Sequence, residues 1–299
     1  MSIVESALQR LKGARGGEPE KRPARAPEPG PEDSPPAGRV RTQMPTPVRW
    51  PARPAVADFS FERLEAAGLY PPERSARRLK DEYRSIRREV LAATAEKNGT
   101  TGSLVGPVVA VTSAGPGEGK SYTALNLALS IAAQGVHDVL LVDADTVKRT
   151  ISLACNLGDR PGLAELLEHP GGNFLEYAYA TFLPRLHVLP TGAHTAAAHE
   201  LFAPARVGPL FDSIRATLAD HIVIVDTPPI LVSSDTPVIL DVAGQVLLVV
   251  RAGNTLQDGA REALDRIRKT LPVGVILNDW SPLLPSEKKT YTSYVEYDR

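Results

Sequence analysis

An α/β fold, with a mostly parallel sheet flanked by helices on both faces, is predicted by three features of residues 107–280. Short apolar runs rich in β-branched residues alternate with amphipathic segments, a glycine-rich loop follows the first run, and aspartates follow two later runs. The runs are 108–112, 139–142, 187–189, 222–225, 246–250 and 273–277. Strands that are apolar throughout are typical of parallel sheets buried on both faces, so the six runs are predicted to form one such sheet.

The glycine-rich loop has the spacing of a phosphate-binding P-loop. Ala114 and four further residues precede Gly119, Lys120 and Ser121, between a predicted strand and an amphipathic helix. Ala114 stands where the strictest pattern has glycine, and a small residue there still fits. Glycines let the backbone N–H groups face inward, where they and the positive helix end bind phosphate oxygens. The residues predicted to bind nucleotide here are Gly115, Pro116, Gly117, Glu118, Gly119, Lys120, Ser121 and Tyr122. The loop therefore predicts a P-loop NTPase fold that binds ATP, with Lys120 on the β- and γ-phosphates and Ser121 on Mg²⁺.

Aspartates follow the second and fourth apolar runs. Asp143 and Asp145 follow the second, and Asp226 follows the fourth. Ligands bind at the carboxyl edge of open parallel sheets, and a charged residue after four apolar ones is poorly explained by packing. Asp226 is therefore predicted to hold Mg²⁺ through water, as a Walker B aspartate does. Asp143 and Asp145 point to opposite sides if the strand continues, and capping of the following helix is the alternative role for each aspartate.

The remainder of the chain divides by composition. A short amphipathic helix is predicted over residues 1–12, and a disordered linker with eleven prolines over 13–57. A helical region, 58–106, contains a charged helix at 73–97 with one apolar stripe. The P-loop domain is predicted over 107–280, and a flexible tail over 281–299. Three of the eight tyrosines lie in that tail: Tyr291, Tyr294 and Tyr297.

Composition excludes several classes of protein. The net charge of −1 gives no field that favours nucleic acid, and no run reaches the roughly 18 apolar residues of a membrane helix. The single cysteine, Cys155, allows no internal disulfide and no cysteine-ligated metal. The N-terminus lacks a secretory pattern, so a cytoplasmic protein is expected. The histidines show no ligand spacing and are expected on the surface or in loops, and segment 170–205 is expected to be a surface excursion.

These motifs together resemble those of the bacterial tyrosine kinases of exopolysaccharide systems, and in particular the tyrosine autokinases encoded with exosortase or chain-length-determinant loci. The resemblance rests on SAGPGEGKS, LLVDADTVK, VDTPP, DEYRSIRREVL and the tyrosine-bearing tail. It implies an ATP- and Mg²⁺-dependent enzyme that phosphorylates tyrosines of its own tail. It also implies that the helical region serves self-association, so that the tail of one subunit enters the site of a neighbour in a ring.

The resemblance assigns a role to each matching residue. Lys120, Asp143 and Asp145 are implied to be catalytic, and the second motif, Walker A′, uses aspartate to bind metal and to activate the tyrosine hydroxyl. The implied metal ligands are Ser121, Asp143 and Asp226. The implied phosphate acceptors are Tyr291, Tyr294 and Tyr297. The implied self-association motif is Asp81, Arg84 and Arg87, with aspartate where glutamate is usual.

Further implications concern adenine and partners. Asn278 matches an asparagine that reads adenine, although a turn-forming role is the alternative. Relatives without a membrane segment depend on a separate transmembrane activator of the polysaccharide co-polymerase type, which would recruit this chain to the inner face of the membrane. The competing interpretation is a positioning ATPase of the septum-site (MinD) or partition (ParA) type. Those proteins carry an early lysine in the loop where this chain has Gly115.

Overall fold

The computed structural model describes residues 50, 59–96, 108–192, 201–218, 221–267, 269 and 271–280. The strands are β1 (Val108–Ser113), β2 (Val139–Asp143), β3 (Tyr179–Ala180), β4 (Leu186–Leu189), β5 (Ile222–Asp226), β6 (Gln245–Arg251) and β7 (Val273–Asn278). The helices are α1 (Phe61–Ala66), α2 (Glu73–Glu96), α3 (Lys120–Ala133), α4 (Thr150–Ala154), α5 (Leu163–Glu168), α6 (Pro204–Thr217), α7 (Asp235–Asp241) and α8 (Gln257–Arg266), with a 3₁₀ turn at Phe174–Glu176.

The strands form one sheet in the order β3-β4-β2-β5-β1-β6-β7. All neighbouring pairs are parallel except β3 and β4, so the predicted α/β fold with a mostly parallel sheet is confirmed. Each of the six apolar runs lies in a strand. The sequence pattern missed β3, because a two-residue strand is too short to show a period. Strand β3 pairs with β4, with Tyr179 opposite Val188 and Ala180 opposite His187.

Position in the sheet decides how deeply each strand is buried. Every residue of β1, β2 and β5 is buried, since these strands occupy the middle of the sheet and helices cover them. The last strand, β7, is an edge strand, and its Val275 and Leu277 remain 37% and 51% exposed. The central strands therefore supply a rigid base for whatever lies at their carboxyl ends.

The long helix α2 packs against α3, which in turn packs against the sheet. Its apolar stripe is buried at Leu79, Tyr83 and Val90, and α3 is buried along most of its length. Hydrogen bonds reinforce the packing: the Arg87 guanidinium donates to the Ser130 carbonyl at 2.7 Å. The helix predicted at 73–97 is thus present and shares the hydrophobic core of the sheet.

Two expectations about the outer segments are wrong. Parts of 170–205 are core rather than a surface excursion, because Phe174 and Phe202 are buried. His187 is buried within β4 rather than on the surface or in a loop, and the ring of Trp50 stacks on it with 3.8 Å between centroids. His221 is buried too, but it lies in the loop before β5, as expected. The predicted N-terminal helix, the linker apart from Trp50, and the tyrosine-bearing tail lie outside the described residues.

Membrane-spanning helices are absent from the described part of the chain. None of its helices combines the length and apolarity that a bilayer crossing requires.

Candidate functional site

The glycine-rich loop connects the buried end of β1 to the first residue of α3. Gly117 and Gly119 have φ angles of 79° and 97°, a left-handed conformation that glycine adopts without strain. Gly119 is also the N-cap of α3, and no side chain caps that helix. The N–H groups of the first turn therefore stay available to an anion, which the helix dipole also favours.

Lys120 is the first residue of α3, and its ammonium group is buried among carboxylates. Its Nζ lies 2.5 Å from Asp145 Oδ2, 3.2 Å from Ser121 Oγ and 3.8 Å from Asp226 Oδ1, and the residue is only 5% exposed. Burial alone would lower the pKa of Lys120, but the charges of Asp226, Asp145 and Asp143 outweigh it and raise the pKa above its ordinary value. The lysine is thus held in its charged form.

Asp143 and Asp226 lie side by side at the carboxyl edge because their strands pair in register. Asp143 Oδ2 accepts hydrogen bonds from the backbone N–H and the hydroxyl of Ser152, at 2.8 and 2.7 Å. Burial raises the pKa of Asp143, although the Ser152 hydrogen bonds oppose that rise. Ser152 was not found from the sequence, since nothing marks a serine on a five-residue helix as a partner of this carboxylate.

Asp145 follows the end of β2, so it does not continue the alternation of the strand. Its backbone N–H donates to Asp143 Oδ1 at 3.2 Å, and its Oδ1 accepts from the N–H groups of Val147 and Lys148 at 3.2 and 3.0 Å. The aspartate therefore closes the turn before α4 while its other oxygen meets Lys120. The helix-capping role considered for Asp145 does not occur, because the N-cap of α4 is Arg149 and no side chain caps that helix.

The carboxylate of Asp226 is fully buried. Neither of its oxygens has a partner in ordinary hydrogen-bonding geometry among the described residues. Burial raises the pKa of Asp226 to about 7, although the charge of Lys120 opposes the rise. Such an orphaned carboxylate beside the hydroxyl-bearing Ser121 suits Mg²⁺, which prefers oxygen ligands. Within the same residues no three acidic, histidine or cysteine side chains form a metal site alone, so a magnesium ion here would need oxygens from substrate and water.

The P-loop is braced by residues from two other strand ends. The Glu118 side chain turns back into the loop, where Oε2 accepts from the Ala114 N–H at 2.9 Å and Oε1 accepts from the Thr255 hydroxyl at 2.7 Å. Asn278, at the end of β7, donates from Nδ2 to the Glu118 carbonyl at 3.0 Å. Asn278 therefore contacts the loop directly, whereas Thr255 carries no motif that would have drawn attention to it.

A cavity of about 960 Å³ opens beside the loop, between α2 and β7. Gly117, Gly119, Tyr122 and Asn278 line its loop end. The rings of Tyr122 and Tyr83 lie near each other, with 6.5 Å between their centroids. The cavity thus adjoins the predicted phosphate-binding residues on the side of Asn278.

The predicted self-association residues differ in their surroundings. Asp81 and Arg84 are exposed and pair with each other at 3.1 Å on α2. Arg87 is partly buried and contacts Ser130 within the same chain. The predicted phosphate acceptors Tyr291, Tyr294 and Tyr297 lie outside the described residues.

Comparison with known proteins identifies the family. Tyrosine-protein kinase YwqD of Bacillus subtilis (strain 168) is 34% identical to this chain over 200 residues, which cover 66% of this chain and 80% of YwqD. The chain belongs to the bacterial tyrosine-protein kinase family. Its kinase relatives include the putative tyrosine-protein kinase EpsB of Ralstonia nicotianae, 32% identical over 215 residues that cover 69% of this chain and 27% of EpsB.

A solved tyrosine kinase domain has the same fold as this kinase. The BceF tyrosine kinase domain superposes with a TM-score of 0.58 and 25% identity, covering 72% of this chain and 86% of that domain. No family model matches the chain. In this kinase the converging residues Lys120, Asp143, Asp145 and Asp226 thus occupy the carboxyl edge of a P-loop fold that tyrosine kinases use.

Proposed function

We propose that this kinase transfers the γ-phosphate of Mg·ATP to tyrosines of its own C-terminal tail, and that this reaction regulates exopolysaccharide synthesis, polymerisation or export. The observation that carries the proposal is the convergence of Lys120, Asp145 and Asp226, all buried, next to an uncapped helix N-terminus. A lysine, carboxylates and backbone N–H groups at one place are the parts that phosphoryl transfer requires.

The loop and Lys120 bind the phosphates. The N–H groups at the start of α3 bind phosphate oxygens, and the ammonium of Lys120 stabilises the charge that develops between the β- and γ-phosphates. Ser121 and Asp226 would hold Mg²⁺, and Asp143 would add a carboxylate beside Asp226. When bound, the metal neutralises phosphate charge. Asn278 and Tyr122, which line the cavity next to the loop, contact the adenosine part of ATP.

The Walker A′ aspartates activate the acceptor tyrosine. A phenol has a pKa of about 10, so it needs a base or a nearby cation to react at neutral pH. Both oxygens of Asp143 are held by Ser152 and by the backbone of Asp145. Asp145 contacts Lys120 through one oxygen, an ion pair that a phosphate can exchange, so Asp145 orients the hydroxyl and accepts its proton.

The acceptors are Tyr291, Tyr294 and Tyr297 of a neighbouring subunit. Self-association through α2 supports such transfer, because Asp81 and Arg84 are exposed and charged, whereas Arg87 stabilises the α2–α3 contact. Each phosphate adds roughly −1.5 to −2 charges, so several on one tail repel the acidic site and loosen the ring. A transmembrane activator of the polysaccharide co-polymerase type recruits the kinase to the membrane and promotes assembly.

The test is phosphate mapping on the full chain. Incubation with ATP and Mg²⁺ should place phosphate on Tyr291, Tyr294 and Tyr297, as read by mass spectrometry. Lys120→Met should lower the rate of phosphotyrosine formation by at least about 100-fold, because the developing charge loses its cation. Since that change leaves buried carboxylates unpaired, Ser121→Ala serves as a second variant that keeps the ion pair, and thermal unfolding verifies folding.

The triple variant Tyr291→Phe, Tyr294→Phe, Tyr297→Phe is the matched control. It should form no phosphotyrosine in the tail while retaining ATP hydrolysis. Steady ATP turnover without phosphotyrosine in the unaltered chain would contradict the autokinase proposal and favour the septum-site or partition type of ATPase.

A further inference from the structure

Glu118 is a buried carboxylate inside a loop that is proposed to bind phosphate. It is 4% exposed, and both side-chain oxygens accept hydrogen bonds, from the Ala114 N–H and from the Thr255 hydroxyl. A negative charge this close to phosphate would weaken binding if it turned toward the ligand. What fixes its direction therefore matters for the affinity of the loop.

Thr255 fixes that direction through a hydroxyl that both accepts and donates a hydrogen bond. Its Oγ1 accepts from the backbone N–H of Arg251 at 2.9 Å, and its single hydrogen is donated to Glu118 Oε1. A hydroxyl that must accept and donate at once can come only from serine or threonine at this position. Thr255 lies in the loop between β6 and α8. Because β6 is the neighbour of β1 in the sheet, Thr255 supports the P-loop from the end of the neighbouring strand.

The backbone of Glu118 is held from another side. Asn278 donates to its carbonyl, and the same side chain lies so close to Gly119 that an added Cβ would stand 2.0 Å from Nδ2. Glu118 is thus fixed through its side chain by Thr255 and through its carbonyl by Asn278. The next residues, Gly119 and Lys120, carry the N–H groups and the ammonium that face phosphate, so their placement depends on this fixation.

We propose that Thr255 is a positioning residue for nucleotide binding, which acts through the Glu118 carboxylate to hold the P-loop in its phosphate-binding shape. The inference rests on the proposed function, because it takes the loop to bind Mg·ATP. Thr255 touches no substrate; its effect is on the loop, and hence on affinity for the nucleotide more than on the rate of phosphoryl transfer.

The test compares Thr255→Val with Thr255→Ser in the full chain. Valine has nearly the shape of threonine but no hydroxyl, whereas serine keeps both hydrogen bonds. Calorimetric titration with Mg²⁺ and a non-hydrolysable ATP analogue should give about ten-fold weaker binding for T255V and a change within about two-fold for T255S, as expected for a lost hydrogen bond to a charged group. Initial rates of phosphotyrosine formation should show the same increase in KM with kcat nearly unchanged.

Thr94→Val is the matched control. The Thr94 hydroxyl on α2 also makes two hydrogen bonds, donating to the Val90 carbonyl at 2.9 Å and accepting from Gln245 Nε2 at 2.8 Å. It lies at the amino end of β6, whereas the P-loop lies at the carboxyl end of the sheet. T94V should bind the analogue like the unaltered chain. Unchanged affinity in T255V, equal losses in T255V and T255S, or an equal loss in T94V would each overturn the proposal.

The affinity measurement separates this inference from the proposed function. If the unaltered chain binds the analogue but forms no phosphotyrosine, the autokinase proposal fails while the comparison of T255V with T255S still decides the role of Thr255. If the unaltered chain binds no nucleotide, both fail.

Discussion

The two ends of the parallel sheet bury polar groups in different ways. At the carboxyl end, Lys120 lies among three buried aspartates, and Asp226 keeps oxygens without a hydrogen-bond partner among the described residues. At the amino end of the same strands, Trp50 stacks on His187, and Asp138 pairs with Arg185 and lies near His221. The carboxyl end thus concentrates charge, whereas the amino end covers its polar groups with an aromatic ring and partner charges.

This difference indicates how one sheet separates stability from chemistry. Buried charge costs desolvation free energy, and the Lys120 ammonium at 3.8 Å offsets that cost only in part for Asp226, as its raised pKa shows; such a carboxylate is expected where the proposed chemistry needs it. At the other end the stacked ring attaches Trp50 to the sheet, although Trp50 Nε1 and His187 Nδ1 are buried without a hydrogen-bond partner among the described residues. We therefore expect neutralisation of Asp226 at the carboxyl end to affect activity without lowering stability, and changes at the amino end to do the reverse.

The largest effect is expected from Asp226→Asn. The rate of phosphotyrosine formation should fall by at least about 100-fold, because the proposed Mg²⁺ site would lose its Walker B carboxylate. The free energy of unfolding should not decrease, because burial already disfavours this carboxylate, as its raised pKa shows, and Lys120 keeps its contact with Asp145. Quantitative phosphotyrosine assays and urea unfolding measure the two quantities.

Asp138→Asn provides the control at the amino end. It should keep the activity of the unaltered chain while losing the ion pair with Arg185, a half-exposed contact worth at most about 1 kcal/mol. An Asp226→Asn variant that retains substantial activity, or that unfolds more easily than the unaltered chain, would contradict the expected difference between the two ends of the sheet.

A smaller effect is expected from Trp50→Ala at the amino end. The stack on His187, with rings only 10° from parallel, would be lost together with the edge contact to His221 at 6.0 Å. We expect the free energy of unfolding to fall by about 1 to 2 kcal/mol, while the rate of phosphotyrosine formation stays unchanged. Trp50→Phe should restore part of the stability. A large loss of activity in Trp50→Ala would show that the ends are coupled.

The sequence predicted the carboxyl end much better than the amino end, and the reason is physical. A P-loop is a local motif between one strand and one helix, and an aspartate after an apolar run lies at the carboxyl edge whatever the order of the strands. Lys120, Asp143, Asp145 and Asp226 were therefore found together. Buried β-branched runs similarly predicted six of the seven strands found in the described part of the chain.

Contacts between distant segments were beyond the reach of such patterns. Thr255 meets Glu118 across 137 residues, because β6 lies next to β1 in the sheet, and no local pattern gives that order. His187 was expected on the surface or in a loop, yet it lies in β4 and the ring of Trp50, from the proline-rich region, stacks on it. A lone tryptophan in a polar segment was the only signal for that contact, and its partner depends on the tertiary fold.

The smallest effect concerns the pH dependence of stability at the amino end. Burial lowers the pKa of His187 from 6.5 to about 4, the nearby Asp138 opposes this, and His221 adds to it. Because the unfolded chain binds a proton at higher pH than the folded chain does, the stability contributed by neutral His187 is present above pH 6.5 and is lost as the pH falls toward 4. Arg185 and Asp138 face the same cluster and pair with each other.

His187→Phe keeps a ring for Trp50 to stack on but cannot take up a proton. Between pH 7 and 5 the variant should lose about 1 kcal/mol less free energy of unfolding than the unaltered chain does, a value reduced for solvent screening at this edge. Urea unfolding at the two pH values measures it, and the exposed His169→Phe serves as the control that should leave the pH dependence unaltered. Equal pH dependence in His187→Phe and the unaltered chain would mean that protonation of this ring does not oppose folding, and that the amino end is stabilised by packing alone.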